Sequence, residues 1–172
     1  IVGEDYEKIL QNILLLEPKS FEEQKKIFDK ILESVKKNHI GLIVVDSMAM
    51  LYRLELGDAI RDKETETIRN VNSEVAKQMR ILAEIARKEN LPILITNQVY
   101  KEFLSEEDWK AGKKAEVNIV GGDLFKYWSK CIIELYYEGS RRKAVLVKHR
   151  SLGEKDFEFV IKDKGIFRKG WI

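Results

Sequence analysis

The sequence predicts an α/β fold, a mainly parallel central sheet flanked by helices with antiparallel strands at the C-terminal edge. Two uninterrupted apolar runs, "IGLIVVD" (40–46) and "LPILITNQ" (91–98), lack polar alternation and read as parallel strands covered on both faces. A segment with apolar residues at helical spacing separates them, as a crossover connection requires. The last third of the chain breaks into short apolar runs joined by a tight turn, the pattern of an antiparallel meander.

Taken in order, "NILLLEP" (12–18) is a short apolar run ended by Pro18 and predicts a strand. "SFEE" (20–23) has the form of a capping box, and Ile27, Phe28, Ile31, Leu32 and Val35 follow at helical spacing. After the first buried strand comes a polar stretch, 54–66, and then a helix to about Glu89. Ile68, Val71, Val75, Met79, Leu82 and Ala86 mark its buried stripe, and Arg87-Lys88 suit its C-terminal dipole. A second polar stretch, 100–118, leads to Gly121-Gly122 and a short helix. "CIIELYY" (131–137), "KAVLVKH" (143–149) and "FEFVI" (157–161) read as the closing strands, with a hairpin turn at "EGSRRK". No repeat or low-complexity linker divides the chain, so a single domain over 1–172 is expected.

Composition limits the classes open to the chain. It has 172 residues, 44% of them hydrophobic, and a net charge of +2, which advertises neither nucleic acid nor membrane. Charged residues make up 35%, above the ~25% of a typical soluble domain, which suits a surface laced with ion pairs. The apolar runs fall short of the ~20 residues that span a bilayer, so no membrane role is expected. Cys131 is the only cysteine and is expected to pack as a small hydrophobe in a reducing, cytoplasmic setting. His39 and His149 lack metal-ligand spacing and read as structural. The first residue is not Met, and a fragment of something longer is expected.

In a parallel sheet, ligands bind beyond the carboxyl ends of the strands. Asp46, with Ser47 after it, stands at one such end and Gln98 at another, 52 positions later (98 − 46). An apolar strand ending in Asp has the form of a Walker B strand, whose carboxylate holds Mg²⁺ through water beside nucleotide phosphates. The alternative for Asp46 is a turn or cap residue. A neutral amide such as Gln98 can sense a γ-phosphate without adding repulsive charge, or it can merely begin a turn.

Together, "LIVVDSMAMLYR", "LPILITNQVY" and "VNIVGGDLFKYWSKCIIELYY" resemble the RecA/RadA recombinase family, and most closely its small archaeal branch. The resemblance spans most of the chain and implies a RecA-like P-loop NTPase core that uses ATP and Mg. It makes Asp46 the Walker B acid, with Ser47 beside it at the nucleotide, and lets Gln98 report the γ-phosphate to a DNA-binding loop that Gly121 and Gly122 close. The chain departs from the family in lacking G-x-x-x-x-G-K-[ST] and the catalytic Glu. Both are expected before Ile1, so the residues given are expected to be inactive, within a protein that is at most a weak ATPase.

The family's DNA-binding loops correspond to 52–69 and 100–120, yet neither is basic. The first holds Arg53, Arg61, Lys63 and Arg69 against Glu55, Asp58, Asp62, Glu64 and Glu66. The second holds Lys101, Lys110, Lys113 and Lys114 against Glu102, Glu106, Glu107, Asp108 and Glu116. Tyr100, Phe103 and Trp109 can stack on bases or pack locally. The positive charge lies in 138–172, ten Lys/Arg against five acids, with Arg141 and Arg142 at the hairpin. Candidate DNA contacts are therefore Arg53, Lys113, Lys114, Gly121, Gly122, Arg141 and Arg142. Lys148 and Arg150, two apart in "KHR", are expected on one face of a strand. Bacterial family members carry two lysines at this spacing that reach a neighbouring subunit's ATP, so a homo-oligomer is consistent with the resemblance. The alternative is an edge strand that uses its charges against aggregation.

The resemblance thus implies an accessory recombination and repair protein that binds ATP and DNA. Two rivals stay open. One is a nucleotide-regulated module that binds a recombinase partner, and the other is a RecA-like ATPase with a client other than DNA.

Overall fold

The computed structural model describes residues 5–101, 105–113 and 117–169; Phe103 and Lys114 lie outside them. The chain is mixed α/β, with a parallel strand pair, helices and antiparallel strands, and its contacts divide it into two units. One is Leu16–Trp128; the other joins Ile1–Leu15 to Ser129–Ile172.

Helix α1 (Tyr6–Gln11) is short and has no buried residue. The strand expected over 12–18 is absent. Ile13 to Leu16 are 47–69% exposed, and no ladder partner stands beside them among the described residues. A lone strand leaves its backbone groups to water, so the apolar run alone cannot hold it extended.

In the Leu16–Trp128 unit, α2 (Phe21–Asn38) begins as its sequence indicates. Ser20 Oγ accepts the Glu23 N–H at 3.2 Å, and the Glu23 carboxylate accepts the Lys19 N–H at 2.8 Å. Its end is His39, which adopts left-handed backbone at φ 52° and closes the helix. Strands β1 (Ile43–Val45) and β2 (Ile93–Ile95) pair in parallel, Ile43 opposite Ile93 and Val45 opposite Ile95. Only one face of this pair is covered. Ile43, Val45, Ile93 and Ile95 pack on the core, whereas Leu42, Val44 and Leu94 are 53–56% exposed. The reading of strands buried on both faces is therefore corrected.

Two helices connect β1 to β2: α3 (Met50–Arg61) and α4 (Thr65–Lys88). The polar stretch 54–66, expected as a loop and as part of a DNA-binding loop at 52–69, is mostly helical. Tyr52 and Ala59 are buried and Leu56 packs on the core, a narrow stripe on a helix that otherwise faces water. The Tyr52 hydroxyl donates to Asn72 Oδ1 at 2.7 Å and ties α3 to α4; burial raises its pKa. On α4, Val71, Val75, Met79, Leu82 and Ile85 are buried, each worth about 1.5–3 kcal/mol of burial. Gln24 and Gln78 are buried between α2 and α4, Gln24 Nε2 donating to Gln78 Oε1 at 2.7 Å. Among the described residues Gln78 Nε2 has no partner.

The described residues of the stretch 100–118 also form more regular structure than its polarity indicates. Strands β3 (Val99–Lys101) and β4 (Val117–Ile119) form an antiparallel ribbon, and α5 (Glu106–Lys110) lies between them. Gly121 and Gly122 then lead into α6 (Asp123–Trp128) with φ of 82° and 57°. A Cβ on Gly121 would overlap the ring of buried Phe125, whereas a Cβ on Gly122 would meet nothing within 4 Å.

In the other unit, β5 (Ile132–Glu138), β6 (Arg141–Lys148), β7 (Lys155–Lys162) and β8 (Gly165–Arg168) form a four-stranded meander. The hairpin turns at Gly139-Ser140, with Glu138 opposite Arg141. The sequence indicated three of these strands; β8 is short and was missed. Cys131, just before β5, is exposed rather than packed.

Two stability outcomes follow from these contacts. Gln24→Leu/Gln78→Leu should raise stability by about 1 kcal/mol by removing an orphaned donor with its pair. Gln78→Leu alone, which leaves Gln24 unpaired, should not; a urea midpoint no higher in the double variant than in the single excludes the coupling. Gly121→Ala should cost about 2–4 kcal/mol, from positive φ plus overpacking against Phe125, and Gly122→Ala only about 1–2 kcal/mol. Equal losses in the two variants would show that the Phe125 ring is not what excludes a side chain.

Candidate functional site

Because β1 and β2 are parallel and in register, their carboxyl ends lie side by side. The ladder continues past them: Thr96 N–H donates to Val45 O at 3.0 Å, and Met48 N–H donates to Thr96 O at 3.1 Å. This brings Asp46 against Thr96. The Thr96 hydroxyl donates to Asp46 Oδ1 at 2.6 Å and accepts the Ser47 N–H at 2.7 Å. Ser47 has φ 59°, the left-handed backbone of a sharp turn out of the strand. Its own hydroxyl reaches Asp46 Oδ1 only at 3.4 Å. Asp46 remains exposed, and among the described residues its Oδ2 receives no hydrogen bond. One carboxylate oxygen is thus fixed and the other faces water.

The next two residues join this rim to the glycine pair. Asn97 Nδ2 donates to Val120 O at 2.8 Å, while its Oδ1 accepts the Gln98 N–H at 2.9 Å. Val120 N–H donates back to Gln98 O at 3.0 Å. Residue 120 is therefore clamped from both sides, directly before Gly121, and Gly122 N–H closes the turn onto Ile119 O at 2.8 Å. The Gln98 side chain is exposed at the point where the β3–β4 ribbon begins. Sequence reasoning singled out Asp46, Ser47, Gln98, Gly121 and Gly122 and missed Thr96 and Asn97. The contiguous "TNQ" was the available signal: a hydroxyl and an amide at a strand end can satisfy a neighbouring turn.

The remaining candidates are dispersed. Arg53 is exposed on α3, in a helix rather than a loop. Lys113 pairs with Asp108 at 2.5 Å; that bond, followed by one from Ser105, holds the Asp108 carboxyl below its usual range. In the meander, Arg141 pairs with Glu158 at 2.9 Å and Glu138 at 3.4 Å. Arg142 lies over the Tyr137 ring at 5.3 Å. Strand β6 ends at Lys148 and Arg150 stands in the bend beyond it, so alternation along a strand does not place the two on one face. They are nevertheless neighbours, lining one cleft with Lys130 and His149.

Among the described residues no group of three or more His, Cys, Asp or Glu side chains could hold a metal ion, and no helix is long and apolar enough to cross a membrane.

The Rad51 family profile matches residues 2–169. Several similar proteins are named DNA repair and recombination protein RadB. The one from Methanobrevibacter smithii is 40% identical over 171 residues, covering 96% of this chain and 67% of the relative. One from Methanococcus maripaludis is 39% identical over 165 residues (95% and 68%). That of Methanocaldococcus jannaschii is 36% identical over 168 residues (96% and 70%). With this coverage, and with a parallel strand pair that leads into Asp46 and Thr96, the chain belongs to the Rad51 family and carries its RecA-like α/β fold.

Proposed function

We propose that this chain is the core of an accessory protein of homologous recombination and DNA repair that binds ATP with Mg²⁺ and binds DNA. The family and the names of the relatives support the repair role. The observation that carries the nucleotide reading is the hydrogen-bonded link from Asp46 through Thr96, Asn97 and Gln98 to Val120.

Asp46 suits a Mg²⁺ that keeps most of its water. A single exposed carboxylate, oriented through one oxygen and open at the other, can accept from metal-bound water without displacing it. Thr96 keeps that carboxylate in one orientation. Gln98 can hold a phosphate oxygen or water through its amide, and its backbone passes any shift to Val120 and the ribbon. Mg²⁺ would supply charge neutralisation at the phosphates; this chain's residues orient and sense.

The DNA contacts are weak by the same reasoning. Phosphate binding needs cations that release counterions, and Lys113 and Arg141 are already held by carboxylates. This favours an accessory role over a strong strand-exchange enzyme. DNA affinity that falls steeply with salt supports this reading, and indifference to DNA would favour the recombinase-partner module or the ATPase with another client instead.

In the full-length protein, Gln98→Ala should leave ATP affinity nearly intact while removing ATP's effect on DNA affinity, a coupling typically of about 1–3 kcal/mol. An undiminished ATP response in a DNA-binding titration would remove Gln98 from the sensor role. Lys148 and Arg150 we assign to a neighbouring subunit's nucleotide. Lys148→Ala/Arg150→Ala should spare ATP binding by the monomer and abolish the sedimentation shift that a non-hydrolysable ATP analogue induces. A shift that persists in the double variant rules that contact out.

A further inference from the structure

The β3–β4 ribbon is tied to the rim by a side chain. Its backbone ladder runs from Lys101 opposite Val117 to Val99 opposite Ile119, and Val120 N–H extends it by one bond to Gln98 O at 3.0 Å. The next bond comes from Asn97, whose Nδ2 donates to Val120 O at 2.8 Å while its Oδ1 accepts the Gln98 N–H at 2.9 Å. One amide therefore holds both the residue that leads into β3 and the residue that follows β4. Its partners dictate the choice of side chain. An amide offers a donor to the carbonyl and an acceptor to the N–H, whereas an ionised carboxylate can only accept and would repel the Val120 oxygen.

The backbone on the two sides of Val120 differs in freedom. Val120 itself is 7% exposed and belongs to the same core cluster as Met48, Val75 and Phe125, so it is a fixed point. Gly121 and Gly122 follow at φ of 82° and 57°, in backbone that glycine adopts at little cost. On the other side, an isolated two-stranded ribbon is marginal in water. Held only through Val99, the ribbon would bend at that residue and lose its register when Gln98 moved. Held through Asn97 as well, both of its strands follow Gln98 together.

We infer that Asn97 is a positioning residue for the nucleotide response: its amide joins the feet of both ribbon strands, so that a shift of Gln98 swings the ribbon as one body about Val120. The inference rests on the sensor role proposed for Gln98 and adds the residue through which that sensor acts. Gln98 alone is bonded to β3 by covalent sequence and to Val120 by a single backbone bond. The Asn97 amide doubles that link and anchors it to the core, which turns a local rotation into a movement of a whole element.

The test is amide hydrogen exchange by NMR on the full-length protein, paired with DNA titrations without ATP and at saturating ATP. Asn97→Asp keeps an acceptor for the Gln98 N–H and loses the donor to Val120 O. Exchange of the Val120 N–H should rise about tenfold while that of the Gln98 N–H stays slow. Asn97→Ala should free both. In each variant ATP's effect on DNA affinity, about 5–150-fold for coupling of this kind, should shrink to within about twofold of none. Unchanged exchange along α4 verifies folding, and if Asn97→Asp fails that check the uncharged Asn97→Ala carries the test. An ATP response that survives in Asn97→Ala overturns the positioning role, and so does unchanged Val120 exchange in both variants. The sensor reading fails separately. A Gln98→Ala variant that keeps the full ATP response while Asn97→Ala loses it defeats the role of Gln98 alone. An unmutated protein in which ATP leaves DNA affinity unchanged defeats the nucleotide reading and this inference with it.

Discussion

The Thr96 hydroxyl donates to Asp46 and accepts from Ser47, and the geometry of the rim depends on this double use. A hydroxyl offers one proton and two lone pairs, so it can satisfy a carboxylate and a turn N–H at once where an ionised carboxylate in its place could not. Without it, Asp46 would be an exposed acid with free rotamers, and the left-handed Ser47 would have an N–H aimed at nothing. Thr96 is itself fixed by backbone bonds on both sides, to Val45 and from Met48. The chain of constraint therefore runs from the parallel ladder to the hydroxyl and from the hydroxyl to the carboxylate.

The meander works by a different balance. Its cations and acids alternate across strands, and exposed pairs of this kind are worth little each, typically below about 1 kcal/mol. Their effect is better read as register and as neutralisation: Glu158 serves Arg141 and Lys169, and the Lys169 hydrogen bond is the main reason its carboxyl sits below the usual range. Part of the local excess of basic residues in sequence is thus balanced across strands. Counting charges along a chain cannot find which cations are balanced, because pairing depends on which strands are neighbours.

What the sequence made legible was local chemistry with a strong physical signature. Ser20 and Glu23 announced the start of α2, the stripe from Val71 to Leu82 announced α4, and the apolar runs ending in Asp46 and "TNQ" announced the rim. What it concealed depended on partners. Ile13 to Leu16 look like a strand but have no ladder among the described residues, and Val44 and Leu94 look buried but face outward. Helix α3 was hidden because Tyr52, Leu56 and Ala59 are a sparse stripe amid charge, visible only once a neighbouring helix is known. Thr96 and Asn97 were concealed in the same way, since each gains its role from a backbone group distant in sequence.

The Asp46–Thr96 bond joins residues 50 apart in sequence. Closing a flexible loop of that size costs about 3 kcal/mol of chain entropy plus a constant, before any contact rewards it. Helices α3 and α4 shorten the effective span, but only after they have formed and packed. The rim therefore belongs to the late part of folding, along with other long-range parallel pairings. A nascent or partly unfolded chain can display its helices and hairpins while still lacking an oriented Asp46, so an oriented carboxylate at this rim also reports that the Leu16–Trp128 unit has finished folding.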